Sequence, residues 1–167
     1  MTRWIKQPDN YSCGPCAIIN ACKWLGIKST LDDVQHFAFI CNSTYDVGTL
    51  EPDFDRALRV IVGSYTKIRH EKSPRADRLF KHLNESEDNA AIVMCYYHNG
   101  DAHYYFITGV PGSKNVFRCV NRETKETVSY VKSKDVTTDL RTGANRKNML
   151  KSHVWFLKKK DIDDDDE

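Results

Sequence analysis

The sequence predicts an α+β fold, with a helical first half and an antiparallel sheet in the second half. Up to residue 84, apolar residues recur at the three- and four-residue spacing of amphipathic helices. After residue 84, short apolar runs are separated by turn residues, and the pair Asn99-Gly100 is typical of a tight hairpin. Helices followed by an antiparallel sheet are the pattern of the α+β class.

The first helix is predicted to begin at Cys13 or Gly14. Pro15 suits its first turn, because the backbone N–H that proline lacks would have no partner there. Apolar residues then recur with helical spacing at positions 18, 22 and 25. Gly26 is a suitable stop for this helix.

Three more helices are predicted before residue 84. The second follows Thr30, with Asp33 completing a capping box at its start. The third is predicted to be capped by Thr49, and the fourth has Ser73 as its cap and Pro74 at its first position. Each of these starts is followed by apolar residues that line one face of a helix.

Five strands are predicted in the second half. An apolar run forms the first strand of a hairpin, and the Asn99-Gly100 turn leads into the return strand. The polar stretch at 141–148 is predicted to be a loop before the last strand. The strands are predicted at 91–97, 102–110, 116–120, 127–132 and 153–158.

Length and composition indicate a single intracellular domain. With 167 residues, 40% of them hydrophobic, the chain is long enough for one domain with a substantial core. No apolar run approaches the ~20 residues of a membrane-spanning helix, and the N-terminus lacks the apolar segment of a secretory signal. We therefore expect a cytoplasmic protein, with reduced and mostly buried cysteines rather than a disulfide scaffold.

Charge is unevenly distributed along the chain. Six of the 23 acidic residues lie at 161–167, so residues 1–160 hold 25 basic and 17 acidic residues and carry a net charge of +8. We interpret 1–160 as the folded domain and 161–167 as a solvated, frayed tail. The basic residues are spread over loops and helices rather than clustered, which does not favour nucleic-acid binding.

The tetrapeptide Cys13-Gly14-Pro15-Cys16 has two functional interpretations. As a dithiol pair, it would bring two sulfurs together at a helix start for redox chemistry. As a nucleophile, Cys13 would act alone, with its pKa lowered by the N–H groups and dipole of the helix start. A nucleophile needs a histidine base, a group that orients this base and a donor for the oxyanion. The chain offers candidates for all three, which favours the nucleophile over the redox pair, although Cys13 taken alone could equally be a buried cysteine at a helix start.

His103 is the candidate base. It opens the strand after the hairpin turn, and the tyrosines and apolar residues that follow would hold its backbone in the sheet. A general base needs such positioning as much as a suitable pKa. His98 is the closest rival, but it falls at the turn itself. The remaining histidines lie in predicted helices, in a charged loop or in the last strand: His36, His82, His70 and His153.

Gln7 and Asn121 complete the candidate site. Gln7 lies six residues before Cys13, and its amide could donate to an oxyanion together with the Cys13 backbone N–H. Asn121 ends the strand predicted to pair with the His103 strand, where its amide oxygen could accept from the imidazole and hold its tautomer. Taken alone, each could be an ordinary surface glutamine or turn asparagine. The order Gln, Cys, His, Asn is more specific than any one of them.

The segment 7–17, Gln-Pro-Asp-Asn-Tyr-Ser-Cys-Gly-Pro-Cys-Ala, resembles the N-terminal motif of a family of papain-like cysteine peptidases. These enzymes trim double-glycine leaders from bacteriocins, and they have many stand-alone relatives. Gly48-Thr49 resembles the Gly-Thr step of that family, and 103–110 resembles its His-aromatic-apolar run. Asn121-Arg122 stands where the family has Asp-Pro or Asn-Pro, so Arg122 departs from the pattern. The resemblance covers residues 4–158.

Carried over to this chain, the resemblance implies a papain-like fold and a cysteine peptidase. It implies Cys13 as the nucleophile, His103 as the base, Asn121 as the residue that orients the base, and Gln7 as the oxyanion donor. The implied reaction is acyl transfer at a peptide or isopeptide carbonyl, through an acyl-enzyme that water releases. The partner would be a protein or peptide substrate, with no nucleic acid or membrane, and no metal or organic cofactor is needed.

Three other functions stay open. A thioredoxin-like oxidoreductase would use Cys13 and Cys16, although only twelve residues precede Cys13, too few for the strand-helix-strand unit expected there. A zinc site could combine these two cysteines with Cys95 and His98, whose pair spacings are acceptable for zinc. A papain-like protein that binds a partner without catalysis would keep the same fold.

Overall fold

A six-stranded antiparallel sheet forms the middle of the molecule. The structure, a computed structural model, describes residues 3–97, 101–123, 125–141 and 150–161. The strands are hydrogen bonded in the order β1-β6-β2-β3-β4-β5, so the first and last strands of the chain lie side by side. Their bounds are β1 Thr66–Lys72, β2 Asn89–Tyr96, β3 Ala102–Val110, β4 Ser113–Val120, β5 Val128–Lys132 and β6 His153–Lys159.

Five helices lie within the described residues. The first three precede the sheet in the chain, the fourth connects β1 to β2, and the fifth follows β5 directly. Their bounds are α1 Cys13–Trp24, α2 Asp33–Ile40, α3 Glu51–Val62, α4 Ala76–Glu85 and α5 Ser133–Arg141. In the part of the chain that the structure describes, no helix has both the length and the apolar character needed to cross a membrane.

Helices cover both faces of the sheet. α1 and α3 pack on one face around Tyr104 and Phe106 of β3, and α4 and α5 pack on the other face around Tyr105 and Ile107. Successive side chains of a strand point to opposite faces, so β3 supplies both cores in turn. Each fully buried apolar side chain of this kind contributes about 1.5–3 kcal/mol to folding.

The α+β class and the four predicted helices are confirmed, but the start of α3 differs from the prediction. Its N-cap residue is Leu50, so Thr49 does not cap the helix. The Thr49 hydroxyl is instead hydrogen bonded to that of Ser43. Thr49 is therefore committed to a contact within its own loop.

The starts of α2 and α4 also differ from the prediction. α2 begins at Asp33 with Asp32 as its N-cap residue, so Thr30 does not cap the helix as predicted, although the Asp33 carboxylate accepts the backbone N–H of Thr30 at 2.7 Å. At α4, the helix begins after Arg75, so Ser73 and Pro74 precede it rather than forming its cap and first position.

β1 and α5 are additional to the elements predicted from the sequence. β1 is a polar edge strand that pairs with β6, and Ile68 is the apolar residue it packs against the core. α5 buries Val136 and Leu140, two residues four positions apart. One apolar residue in a strand and two in a helix give too little periodicity to distinguish either element from a loop.

Several predicted features lie outside the described residues. These are the Asn99-Gly100 turn, the polar loop beyond Arg141 and the acidic tail beyond Asp161. The two strands that flank the turn are described, and they form the predicted antiparallel pair with Cys95 opposite His103.

Candidate active site

Cys13 is the first residue of α1 and lies at its N-terminal end. Burial raises the pKa of its thiol above the ordinary value, because only 5% of the residue is exposed. Hydrogen bonds from the backbone N–H groups of Tyr104, Gly14 and Cys13 itself oppose this shift. The helix start thus favours the thiolate, as the sequence predicts, but burial has the larger effect and the resting thiol is protonated.

Gly14 lets the start of α1 lie directly against the loop before α3. A Cβ atom at this position would lie 2.6 Å from Thr49 Oγ1 and 2.9 Å from Thr49 Cβ. The Thr49 carbonyl in turn accepts a hydrogen bond from the Tyr104 hydroxyl at 2.9 Å. The start of α1, this loop and β3 are therefore fixed to one another at the position of Cys13.

His103 is the second residue of β3, next to Tyr104, and it is also only 5% exposed. Its Nε2 atom lies 2.6 Å from the backbone carbonyl oxygen of Asn121. Because a carbonyl can only accept, Nε2 carries the proton and Nδ1 is left as the basic atom. The ring stacks on Tyr97 at a centroid distance of 5.2 Å. Burial lowers the pKa of His103, so the imidazole is neutral at neutral pH.

The structure brings Cys13 and His103 to the same end of the sheet. Burial raises the pKa of Cys95 and of Tyr97, and the nearby Cys13 sulfur adds to both shifts. Cys95 is the residue opposite His103 in the β2–β3 ladder, and Tyr97 is the ring stacked on it. Among the described residues, no hydrogen bond joins the Cys13 sulfur to the His103 ring. Tyr104, the residue after His103 in β3, connects the two groups, because its backbone N–H donates to the Cys13 sulfur.

The Asn121 side chain is engaged with the N-terminal segment. Its Oδ1 atom accepts from the backbone N–H of Gln7 at 3.1 Å, and its Nδ2 group donates to the carbonyl of Ile5 at 2.8 Å. Asn20 of α1 holds the same segment, accepting from the Ile5 N–H at 2.9 Å. Asn121 therefore meets His103 through its main chain, whereas its amide ties the residues before α1 to the sheet.

Gln7 lies in a loop that is fixed on both sides. Asn121 holds its backbone, and its side-chain amide donates to the carbonyl of Asp9. The Asp9 carboxylate then accepts from the backbone N–H groups of Tyr11 and Ser12 at 3.1 and 2.8 Å. The Gln7 amide is thus held two residues from the start of the turn that leads into α1.

A cavity of about 600 Å³ opens at Cys13. It is lined by 8–11, Cys13, 45–49, 101–102 and Tyr104. Of the four predicted site residues, Cys13 is the one that contributes to this lining. A second cavity of about 610 Å³ involves none of the four, and its walls include the indole of Trp24. The cavity at Cys13 is large enough for a few residues of an extended peptide.

Arg122, which departs from the family pattern in the sequence, forms an ion pair with Asp139 in this region, and the sequence does not predict this partner. The Arg122 guanidinium holds both carboxylate oxygens of Asp139, at 2.7 and 3.1 Å, and Tyr105 donates to the same carboxylate at 2.8 Å. After burial and the Asn121 carbonyl, Asp139 and Arg122 are the next influences on the pKa of His103, with opposite signs. Asp139 belongs to α5, which has no clear sequence signal, so this pair could not be predicted.

Cys16 has a different environment from Cys13. It is fully buried beside Ile19 and Val34, and its sulfur lies 4.0 Å from the Ser12 hydroxyl. Burial raises its pKa to about 12, so the thiol is protonated and enclosed. Both thiols of the tetrapeptide are free, as are the other four. This setting does not suit a dithiol redox pair, which needs an accessible thiolate. His98 of the alternative zinc set lies outside the described residues.

Comparison with known proteins gives a match in structure. No protein-family profile matches the sequence, and no curated protein sequence matches it. The peptidase domain of Streptococcus ComA, a bi-functional ABC transporter involved in a quorum sensing pathway, superposes with a TM-score of 0.66 and 15% identity, covering 96% of this chain and all of that one. A double glycine motif protease from an AMS/PCAT transporter, in complex with the leader peptide, superposes with a TM-score of 0.59 and 11% identity, covering 93% of this chain and 91% of that one.

These matches confirm the predicted resemblance at the level of the fold. They cover 96% and 93% of this chain. The chain has the papain-like fold of the double-glycine cysteine peptidases.

Proposed function

We propose that this chain is a cysteine peptidase that hydrolyses a peptide or isopeptide bond with Cys13 as its nucleophile and His103 as its base. The observation that carries the proposal is the position of the Cys13 sulfur. It lies at a helix start, receives a hydrogen bond from the residue after His103, and lines a cavity of about 600 Å³. The double-glycine protease with the same fold binds a leader peptide, which supports a peptide substrate.

Asn121 is the third member of the proposed triad. Its carbonyl oxygen accepts the Nε2–H of His103, which leaves Nδ1 free to take a proton from the thiol. The buried, neutral state of His103 suits a base, because a protonated ring could not accept. The Asn121 side chain contributes indirectly, by holding the segment that carries Gln7.

The proposed reaction begins with transfer of the Cys13 proton to His103. The sulfur then forms a bond to the substrate carbonyl carbon, and the resulting oxyanion is stabilised by the Cys13 backbone N–H and the Gln7 amide. Gln7 must turn its amide from the Asp9 carbonyl for this role. Collapse of this tetrahedral intermediate breaks the C–N bond of the substrate, and His103 gives the proton that it took from Cys13 to the leaving amine. Water then hydrolyses the thioester, releasing the acid and restoring the thiol.

The first experiment measures alkylation by iodoacetamide across pH, with the modified site located by mass spectrometry. In the wild-type protein, we expect rapid labelling of Cys13 near neutral pH, because the neutral His103 ring can take the thiol proton as the sulfur attacks. Labelling should vanish in Cys13→Ala, persist in Cys16→Ala, and shift to higher pH in His103→Ala, where only the raised thiol pKa remains. Labelling of Cys13 no faster than a free thiol, with no change in His103→Ala, would refute the proposal.

A papain-like binding protein without turnover is the second candidate. The raised pKa of Cys13 and the hydrogen bonds that occupy both Asn121 and Gln7 favour it. It predicts slow alkylation of Cys13 together with specific binding of a peptide. The alkylation profile therefore separates the two candidates before any substrate is known.

A further inference from the structure

Glu51, His70 and His153 bring three metal-ligating side chains together from three different elements. Glu51 begins α3, His70 lies in β1 and His153 begins β6. One ligand atom from each residue lies within 4.8 Å of the other two. His70 Nε2 is 2.8 Å from His153 Nδ1 and 3.6 Å from a carboxylate oxygen of Glu51. Three such atoms converging on one point is the arrangement that a metal ion requires.

The spacing of these atoms is close to that of a tetrahedral site. Zinc bonds of about 2.0–2.1 Å place neighbouring ligand atoms about 3.3 Å apart. Two of the three separations, 2.8 and 3.6 Å, bracket this value, and all three lie within 4.8 Å, so the side chains must shift to bring the ligands to tetrahedral spacing. His70 and Glu51 have side chains that are 23% and 27% exposed, which leaves a path for the ion and for a water ligand.

The two imidazoles are held rigidly by their surroundings. His70 stacks on the buried Trp155 at 4.7 Å and 10°, and on His153 at 5.0 Å and 14°. β1 and β6 are hydrogen bonded along this stretch, with Lys72 opposite His153. Burial, His70 and Lys72 lower the pKa of His153 to about 4, so its ring is neutral and offers a lone pair at physiological pH. Side chains that are already held in place lose little entropy when an ion binds.

We propose that Glu51, His70 and His153 form a binding site for a borderline divalent cation such as Zn²⁺, with water completing the coordination. Two imidazoles and one carboxylate are a known zinc ligand set, whereas Ca²⁺ and Mg²⁺ prefer oxygen ligands alone. The ion ties α3 and β1, which follow each other in the chain, to β6, which lies about 80 residues further on. Its expected effect is therefore stabilisation of the folded state.

The site is separate from the proposed nucleophile. Tyr104 contacts Cys13 through its backbone, while its ring packs against Phe54 and, more distantly, Trp155, the ring on which His70 stacks. A layer of aromatic side chains thus lies between the two. The metal site does not depend on the peptidase proposal, and either can fail without the other.

The test is titration of the full chain with Zn²⁺ by isothermal titration calorimetry, in excess Ca²⁺ to occupy carboxylate-only sites. Co²⁺ absorption spectra report the ligand type, because thiolate ligation gives charge-transfer bands that imidazole and carboxylate do not. We expect one equivalent of Zn²⁺ to bind, in wild type and in Cys13→Ala alike. Glu51→Gln and His70→Ala should each weaken binding at least about tenfold, since even changes to the groups that hydrogen bond to metal ligands have effects of about 10–100-fold.

His36→Ala is the matched control, because His36 is exposed on α2 and should leave the affinity unchanged. Glu51→Gln keeps the size and polarity of the side chain while removing its charge, so it tests the site without the folding risk of removing the buried His153. Circular dichroism confirms that each variant is folded. Undetectable Zn²⁺ binding by the wild type, equal binding by the double variant Glu51→Gln/His70→Ala, or a thiolate Co²⁺ spectrum would each overturn the proposal.

Discussion

The Nε2 atom of His103 lies 2.6 Å from the backbone carbonyl oxygen of Asn121. Asn121 adopts a φ of 60°, in the left-handed region that asparagine tolerates better than most residues. Its backbone carbonyl therefore accepts a hydrogen bond from the imidazole, while its side chain is hydrogen bonded to Ile5 and Gln7. Asn121 therefore connects the candidate base to the segment that leads to the candidate nucleophile, Cys13.

Asn121→Ala should separate these two contributions. It removes two side-chain hydrogen bonds and places alanine at a positive φ, so we expect a loss of about 2–3 kcal/mol in the free energy of unfolding. The carbonyl that holds His103 remains, so most of the neutral-pH alkylation rate of Cys13 should survive. Urea denaturation and the alkylation assay measure the two effects.

Asn121→Gly is the control for backbone strain. Glycine accepts a positive φ freely, so this variant should be more stable than Asn121→Ala by about 1 kcal/mol. If folded Asn121→Ala alkylates as slowly as His103→Ala, the side chain rather than the carbonyl orients the base.

Gly14→Ala should be destabilising, because the new methyl group would overlap the Thr49 side chain at 2.6 Å. Overpacking at a rigid contact costs about 1–3 kcal/mol. Adding Thr49→Gly removes the atoms in conflict, so the double variant should lose less stability than the sum of the two single variants. A double-mutant cycle from urea denaturation measures this coupling. Strict additivity would show that Thr49 moves aside at no cost.

The sequence predicted those parts of the site that depend on local signals. Cys13 is at a helix start because Pro15 and the apolar spacing behind it define that start. The strands of His103 and Asn121 are neighbours because short turns connect antiparallel strands in chain order. Turn chemistry and periodicity were sufficient for these placements.

The long-range contacts of the side chains could not be predicted in the same way. The Asn121 amide bonds residues 114 and 116 positions away, and no local pattern encodes a partner at such a distance. His70 was placed in a charged loop, because β1 is too polar to show strand periodicity. Its pairing with β6 is what brings it to His153.

The Arg122–Asp139 pair should be important for stability because both side chains are largely buried, at 18% and 17% exposed. Arg122→Ala leaves the Asp139 carboxylate without its bidentate partner, so we expect a loss of about 2–4 kcal/mol. Arg122→Lys should recover only part of this, because an ammonium group cannot bind both oxygens in the same plane. The free energies of unfolding of the two variants measure the difference.

The matched control for this pair is Arg59→Ala. Arg59 also contacts a carboxylate, that of Asp55, but its side chain is 46% exposed. An exposed pair contributes at most about 1 kcal/mol. Equal losses for Arg122→Ala and Arg59→Ala would show that burial does not strengthen the dependence on Arg122.

His153 should make the fold less stable in mild acid. Its pKa is lowered to about 4 by burial, by His70 and by Lys72, whereas an unfolded histidine titrates near 6.5. Between these values the unfolded chain binds a proton that the folded chain does not, so stability falls as the pH drops from about 6.5 to about 4. The shift corresponds to about 3 kcal/mol across that window.

In His153→Gln this part of the loss should be absent, whereas His36→Gln should follow the wild type. Burial also lowers the pKa values of His82 and His103, so these residues add slopes of the same sign, but they are present in every variant and cancel in the comparison. Urea denaturation at several pH values, with a chelator present to remove any bound cation, measures the slopes. Parallel slopes for wild type and His153→Gln would mean that His153 is as easily protonated in the folded chain as in the unfolded one.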